Sequence, residues 1–533
     1  MPKPASATEF GMDYYPYIDG VLTNQFLYSD KWNLTTTQNT IKADLNMMNS
    51  MGLTCQRMLF FPHGWITTKA YNDPNPDPPH FDAHWGDMLQ NLPAYLALLD
   101  ERDIRLVIAS PSPLLKHKSK RQGYTNLWLW QYFYGPNEWD AFMDHTQKYL
   151  TELVNAVATS GHPTTVKWFD ISNEISTNPQ PPSEPILNYS QYLQEIYDSG
   201  WIIPASKIGF SVLRVVDGGQ NDFHDLRNTN NNGPWLGVYR AQDTMLTDTH
   251  CYPERNAQAI SKLGYRYTQG RTYFPNSTGI VGEYGYSYDY PSSEATQKDK
   301  EKAVMDACIA AGVPYAMHWM WSGRYLPPPP EDDDDEDHVV AYWFRNHDIN
   351  KPNDIVGYVG TRLSLFTNGD MESGTSALPT GWSYASNGVV QPTPARVGGQ
   401  GVGATGDYYY RLTSSRVGDT IWTVSPRVEI PLSSSKIYVN AYIRSTSMSN
   451  VRIAVHQYDG SGQEISQAFS TSPALPPGTW PQWYSFQHRI DPVEGGWICS
   501  ANALARYVRV NVQGRVDAGT AILDTDTVTL SVR

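Results

Sequence analysis

KWFDISNE, residues 167–174, is the stretch on which the reading of the fold turns. With Val166 in front it opens as a short apolar and aromatic run, Val166–Ile171, of strand length and composition. It then stops on three polar residues, Ser172, Asn173 and Glu174. Immediately upstream, 137–159 repeats its apolar residues at helical spacing. A helical pattern feeding a buried strand that ends in a carboxylate is one unit of a βα repeat, and the question is how many units the chain contains.

Working outward from this strand, the same alternation runs from about residue 10 to 325. Seven further strands are expected at Phe10–Pro16, Thr54–Phe61, Ile104–Ser110, Ile208–Leu213, Asp243–Thr249, Gly279–Gly282 and Tyr315–Trp319. Helical patterns separate most of them, among them Gln38–Met51 and Glu294–Ala311. Eight strands with intervening helices predict an α/β fold, a (β/α)8 TIM barrel, in which KWFDISNE is the fourth strand. An open doubly wound sheet is the alternative, but no GxGxxG turn follows the first strand, so nothing supports a dinucleotide site.

Residues 327–337, a run of prolines and then acids, read as a solvated loop on the rim after the eighth strand, where a divalent cation is the alternative occupant. The barrel is expected to close by residue 364. From 365 to 533 alternating segments such as Lys436–Ser445, Val451–Tyr458 and Ala505–Gln513 are punctuated by Gly, Ser, Pro and Asp, the pattern of an all-β sandwich. Its opening NGDMESG at 368–374 and the pair Gly381-Trp382 resemble the start of jelly-roll carbohydrate-binding modules. A purely structural sandwich is the other reading.

Composition narrows the partners. Aromatic residues make up 13% of the chain, with 17 Trp and 35 Tyr, which fits either large cores or the stacking of sugar rings. A net charge of −14 argues against nucleic acid. No apolar run reaches the length needed to span a bilayer, so no membrane partner is expected. Cys55, Cys251, Cys308 and Cys499 are too scattered for a zinc site or a disulfide framework and are expected to be buried thiols. The opening MPKPASATEFG lacks an apolar signal core; the expected location is extracellular or periplasmic, as a mature form freed of its signal.

In a barrel, chemistry gathers at the C-terminal strand ends. Two glutamates stand there: Glu174 after the fourth strand and Glu283, in GIVGEYGY, at the seventh, 109 residues or about three βα units apart. Retaining cleavage of a glycosidic bond needs one carboxylic acid to protonate the leaving oxygen and a carboxylate about 5 to 5.5 Å away to attack the anomeric carbon. Asn173 adds an amide able to hydrogen-bond a sugar 2-hydroxyl. The bland reading of either glutamate alone is a structural ion pair; the pair on matched strands is far harder to dismiss.

Over residues 10–325 the chain therefore resembles clan A of the retaining glycoside hydrolases, the cellulase and β-galactosidase-like barrels. The resemblance implies that Glu174 is the acid/base and Glu283 the nucleophile. It implies that Arg57, at the end of the second strand, contacts the nucleophile, that His250 binds substrate, and that Tyr252 hydrogen-bonds the nucleophile. It implies a sugar platform from the eighth strand, either Trp319 or Trp321. Rings at Asn126–Gly135 and Tyr284–Tyr290 offer further subsites or plain packing. The partner implied is a β-linked carbohydrate, and no cofactor is expected. A metal-dependent barrel hydrolase would want an HxH pair ending the first strand, where DYYPY has none. A non-catalytic carbohydrate-binding protein or adhesin on a barrel scaffold is the remaining alternative.

Overall fold

A computed structural model of the chain describes residues 8–18, 21–22, 26–60, 84–109, 139–171, 173, 208–212, 246–252, 259–285, 294–323, 345–346, 364–366, 368–369, 371–398, 408–431, 434, 436–469, 484–485 and 497–532. Eight parallel strands close into a barrel: β1 (Glu9–Asp13), β2 (Cys55–Leu59), β3 (Arg105–Ala109), β4 (Val166–Asp170), β5 (Ile208–Val212), β6 (Leu246–Cys251), β7 (Thr278–Tyr284) and β8 (Tyr315–His318). Each pairs with its neighbours in chain order, and β8 returns to β1. The expected strands are all present, with ends shifted by up to a few residues. Between them lie α1 (Thr35–Met51), α2 (Trp85–Asp100), α3 (Trp139–Thr159), α4 (Leu263–Tyr273) and α5 (Glu294–Ala311). No helix among the described residues is long and apolar enough to cross a membrane.

Strand alternation fills the barrel in layers. Cys55, Val107, Trp168, Leu246, Ile280 and Met317 form one apolar layer. Two residues further toward the C-terminal ends, the side chain is charged on three of those strands: Arg57 follows Cys55, Asp170 follows Trp168, and Asp248 follows Leu246. Asp13 holds the corresponding place on β1, in register with Arg57. Close approach of β1 and β2 requires Gly11, whose Cβ would lie 2.1 Å from the Cys55 carbonyl oxygen.

By contacts the chain forms two compact units, one of Ser6–Leu34 and Cys55–Trp343, the other of Met1–Ala5, Thr35–Thr54 and Phe344–Arg533. The second holds two antiparallel sheets around one apolar core. One sheet runs β9 (Ser383–Ser386), β12 (Thr420–Val424), β19 (Tyr507–Val516), β15 (Met448–Tyr458), β16 (Glu464–Phe469), with β13 (Val428–Glu429) also on β19. The other runs β10 (Thr393–Gly398), β11 (Tyr408–Ser414), β20 (Ala521–Val532), β14 (Lys436–Thr446), β17 (Tyr484–Ser485), with β18 (Trp497–Ser500) also on β14. The helix α1, which in chain order links the first two barrel strands, belongs to this unit and packs on β14 and β20. The Ser531 hydroxyl donates to the Asn49 carbonyl there.

The motif at the start of the sandwich is structural. Trp382 is buried, its indole N–H donating to the Asn368 carbonyl at 2.9 Å, and the Asn368 amide donates to the carbonyls of Ser373 and Thr380. All four cysteines are free and buried.

Candidate active site

One guanidinium organises the mouth of the barrel. Arg57 is wholly buried and meets four carboxylates, each presented by a different strand. Its Nη1 donates to Glu283 Oε1 at 2.7 Å and to Asp13 Oδ1 at 3.0 Å. Nη2 donates to Asp170 Oδ2 at 3.0 Å and to the Asn173 side-chain oxygen. Nε lies 3.7 Å from Asp248 Oδ2.

Glu283 could not face inward on a regular strand that also turned Ile280 and Gly282 inward. The register explains how it does. Thr249 and His250 are consecutive on β6 but oppose Val281 and Glu283, and on β8 Ala316 and His318 oppose Val281 and Tyr284. The strand β7 thus carries one extra residue relative to both neighbours, a bulge that re-aims the following side chain. Gly282 occupies the bulge because a Cβ there would lie 1.8 Å from Asp248 Oδ2. Its N–H instead donates to Asp248 Oδ1 at 2.5 Å. Gly282→Ala is therefore expected to push Asp248 away and cost about 2 kcal/mol of stability through overpacking. Thermal melts of the variant and the parent decide it, and equal melting temperatures would show that the aspartate yields freely.

The second oxygen of Glu283 is held as firmly as the first. The Tyr252 hydroxyl donates to Oε2 at 2.5 Å, and His250 Nδ1 lies 3.1 Å from the same atom. Burial alone would raise this carboxyl, but His250, Arg57 and the two hydrogen bonds outweigh it and lower it to about 2. The surrounding acids move the other way. Burial lifts Asp170 to about 6, with Asp248 adding repulsion against the pull of Arg57. Burial, with repulsion from Glu283, likewise raises Asp13 despite Arg57. Environment therefore separates one fixed anion, Glu283, from neighbours that retain protons more readily.

Of the residues singled out in the sequence, Arg57, Asn173, His250, Tyr252 and Glu283 come together here. Glu174 lies outside the described residues, as do 126–135, 286–290 and the acidic loop 327–337. The two tryptophans differ in burial. Trp321 is fully buried and packs in the core, so it offers no surface to a ligand. Trp319 is partly exposed, its backbone N–H donating to the Tyr284 carbonyl at 2.8 Å and its ring meeting Tyr15 edge-on at 5.3 Å. The strand β8 ends at His318, so the two-residue alternation does not extend across the pair.

Asp13, Asp170, Asp248 and Tyr15 were not picked out in the sequence. Little in the sequence marks the aspartates, since their strands carry further polar or charged residues, Glu9, Lys167 and Thr247 among them. Among the described residues no set of three His, Cys, Asp or Glu side chains is arranged to hold a metal ion. What the arrangement can do is hold an ionised carboxylate, desolvated and oriented through both oxygens, at the C-terminal face of a barrel.

No protein-family model and no curated protein matches the chain. Solved structures match the chain in part. An exo-β-1,4-mannosidase from an Opitutaceae bacterium matches over 67% of this chain and 59% of its own, at 15% identity and a TM-score of 0.43. The present chain thus spans about three fifths of that enzyme. A Bifidobacterium longum protein crystallised with Manβ1-4GlcNAc matches over 67% and 77%, at 13% identity and a TM-score of 0.45. An endo-1,4-β-mannanase from Thermotoga petrophila matches over 67% and 100%, at 14% identity and a TM-score of 0.40.

Proposed function

We propose that the chain is a retaining glycoside hydrolase that cleaves β-glycosidic bonds of oligo- or polysaccharides, with Glu283 as nucleophile and Glu174 as acid/base. The observation that carries this reading is the state of Glu283: a buried carboxylate kept ionised by Arg57, Tyr252 and His250. In the first step a Glu283 oxygen bonds to the anomeric carbon while the bond from that carbon to the leaving oxygen breaks, and Glu174 gives its proton to that oxygen. In the second, Glu174 takes a proton from water, the hydroxyl attacks the anomeric carbon, and the ester to Glu283 breaks. Asn173, with its oxygen committed to Arg57, is oriented to offer its NH2 to the sugar 2-hydroxyl, and Trp319 to lie beneath the ring.

The C-terminal sandwich is read as an accessory carbohydrate-binding module. The test of the catalytic reading is a product screen over aryl β-glucosides, β-mannosides and β-galactosides and the corresponding polysaccharides, with proton NMR of the first sugar released. The expected first product is the β-anomer. Release of the α-anomer would overturn double displacement, and Glu174→Gln should slow substrates with poor leaving groups far more than activated aryl glycosides.

A further inference from the structure

Alternation along the strands of the sheet β9-β12-β19-β15-β16 decides which residues face away from the sandwich core. Ile421 on β12, Val508, Val510 and Val512 on β19, and Val451, Ile453 and Val455 on β15 all lie in that core. The intervening residues therefore form the outer face. One cross-strand row is Trp422, Gln513 and Arg452; the next brings Asn511 and Ala454 to Phe469; a third brings Arg509 and His456 to Gln467. The helix α1 covers strands of the opposite sheet.

We propose that this outer face binds an acidic oligosaccharide laid across the strands between Trp422 and Phe469. The proposal rests on reading the sandwich as a sugar-binding module and adds where the sugar lies and what charge it carries. Three independent features support it. Trp422 is partly exposed and Phe469 is 40% exposed, on strands three spacings apart, so the rings stand roughly 15 Å from each other, room for a short oligosaccharide to stack at both ends.

Between the rings, Asn511 is only 6% exposed, and one end of its amide is taken by His456 Nε2 at 2.9 Å. The other end has no partner among the described residues. A buried amide atom left over on an outward face is a position for a ligand hydroxyl.

The third feature is charge. Arg452, Arg509 and Arg515 all stand on this face, and among the described residues none has a carboxylate partner, in a chain of net charge −14. The nearby acid, Glu464, is occupied by His456 at 3.2 Å. Arg452 already lies over the Phe469 ring at 4.1 Å, which fixes its planar fork beside the stacking surface. The Gln513 side-chain oxygen accepts from Arg452 Nε and Nη2 and steadies that fork, and guanidinium groups without a carboxylate partner beside rings suit a sugar that carries carboxylates.

The test uses the full chain with Glu283→Gln, to stop turnover, in affinity electrophoresis through gels containing polygalacturonate or neutral β-mannan. Polygalacturonate should retard the protein, added salt should weaken the retardation, and Trp422→Ala and Arg509→Ala should each weaken it by about tenfold. Arg515→Ala, at an exposed position, should weaken it without altering the melting temperature. Retardation unaffected by all three variants overturns the site. Salt-insensitive retardation by β-mannan that Trp422→Ala abolishes overturns the charge class while leaving the module reading standing. Equal affinity for single-stranded DNA overturns it in favour of a general polyanion surface, and no binding to any glycan overturns both this proposal and the module.

Discussion

Glu283→Gln is expected to lower turnover of a β-glycoside by about four orders of magnitude or more, in the range seen when a covalent nucleophile is removed. The amide cannot form the glycosyl ester, yet it fills the same space and its oxygen still accepts from Arg57 or Tyr252. Substrate binding and the melting temperature should change little, so the loss belongs in kcat. Retention of more than about one hundredth of parental kcat/KM would remove Glu283 from the nucleophile role. Because His250, Arg57 and their hydrogen bonds hold this carboxyl down at about 2, the parent enzyme keeps its nucleophile ionised through mildly acidic solution. Any acid limb of its rate profile above that range belongs to another group.

Arg57→Met should be the most damaging change to the fold. It leaves Asp13, Asp170, Asp248 and Glu283 buried together without their shared cation. Removing one partner of a buried ion pair costs about 3 to 5 kcal/mol, and here one partner serves four acids. The pH dependence gives a sharper check. Asp13 and Asp170 are held above the ordinary carboxyl range by burial even with Arg57 present, Asp170 at about 6. A carboxyl raised in the folded state binds protons more tightly than in the unfolded chain. Its stabilising contribution is full below the unfolded value of about 3.9 and is lost as pH rises through the folded one. Without the guanidinium, whose charge pulls both of them down, Asp13 and Asp170 move further up. The gap in melting temperature between parent and Arg57→Met should therefore widen from pH 4 to pH 7. A constant gap would show that the acids do not depend on Arg57 for their charge.

The barrel was legible because its strands are short apolar runs separated by amphipathic helices, a pattern that survives without any knowledge of packing. Glu283 was legible for a related reason, because a polar residue that terminates such a run stands out, whereas His250 and Tyr252 were reached through the family resemblance. Asp13, Asp170 and Asp248 did not stand out, because each shares its strand with other polar or charged residues, and only the barrel's closure brings the three around one arginine. The bulge in β7 was invisible too. Strict alternation would turn Glu283 away from Ile280's side, and the extra residue appears only when β7 is laid beside β6 and β8. Trp319 was favoured over Trp321 in the sequence, but two residues apart they would share a face on a continuing strand, and only the end of β8 at His318 shows that they do not. NGDMESG and Trp382 illustrate the opposite hazard, since a motif suggestive of binding holds a buried indole in the core.

The placement of α1 has a consequence in time. The contact between Ser531 and Asn49 joins positions 482 apart in the chain. At about 5 to 20 residues per second, something like half a minute or more of synthesis separates the helix from the strand it needs. During that interval the face of α1 that meets β14 and β20 in the finished protein stays uncovered. Strands β14 and β20 must be synthesised before α1 can dock, so a ribosome that stalls between α1 and β20 would leave a nascent chain with that helix still open to chaperones.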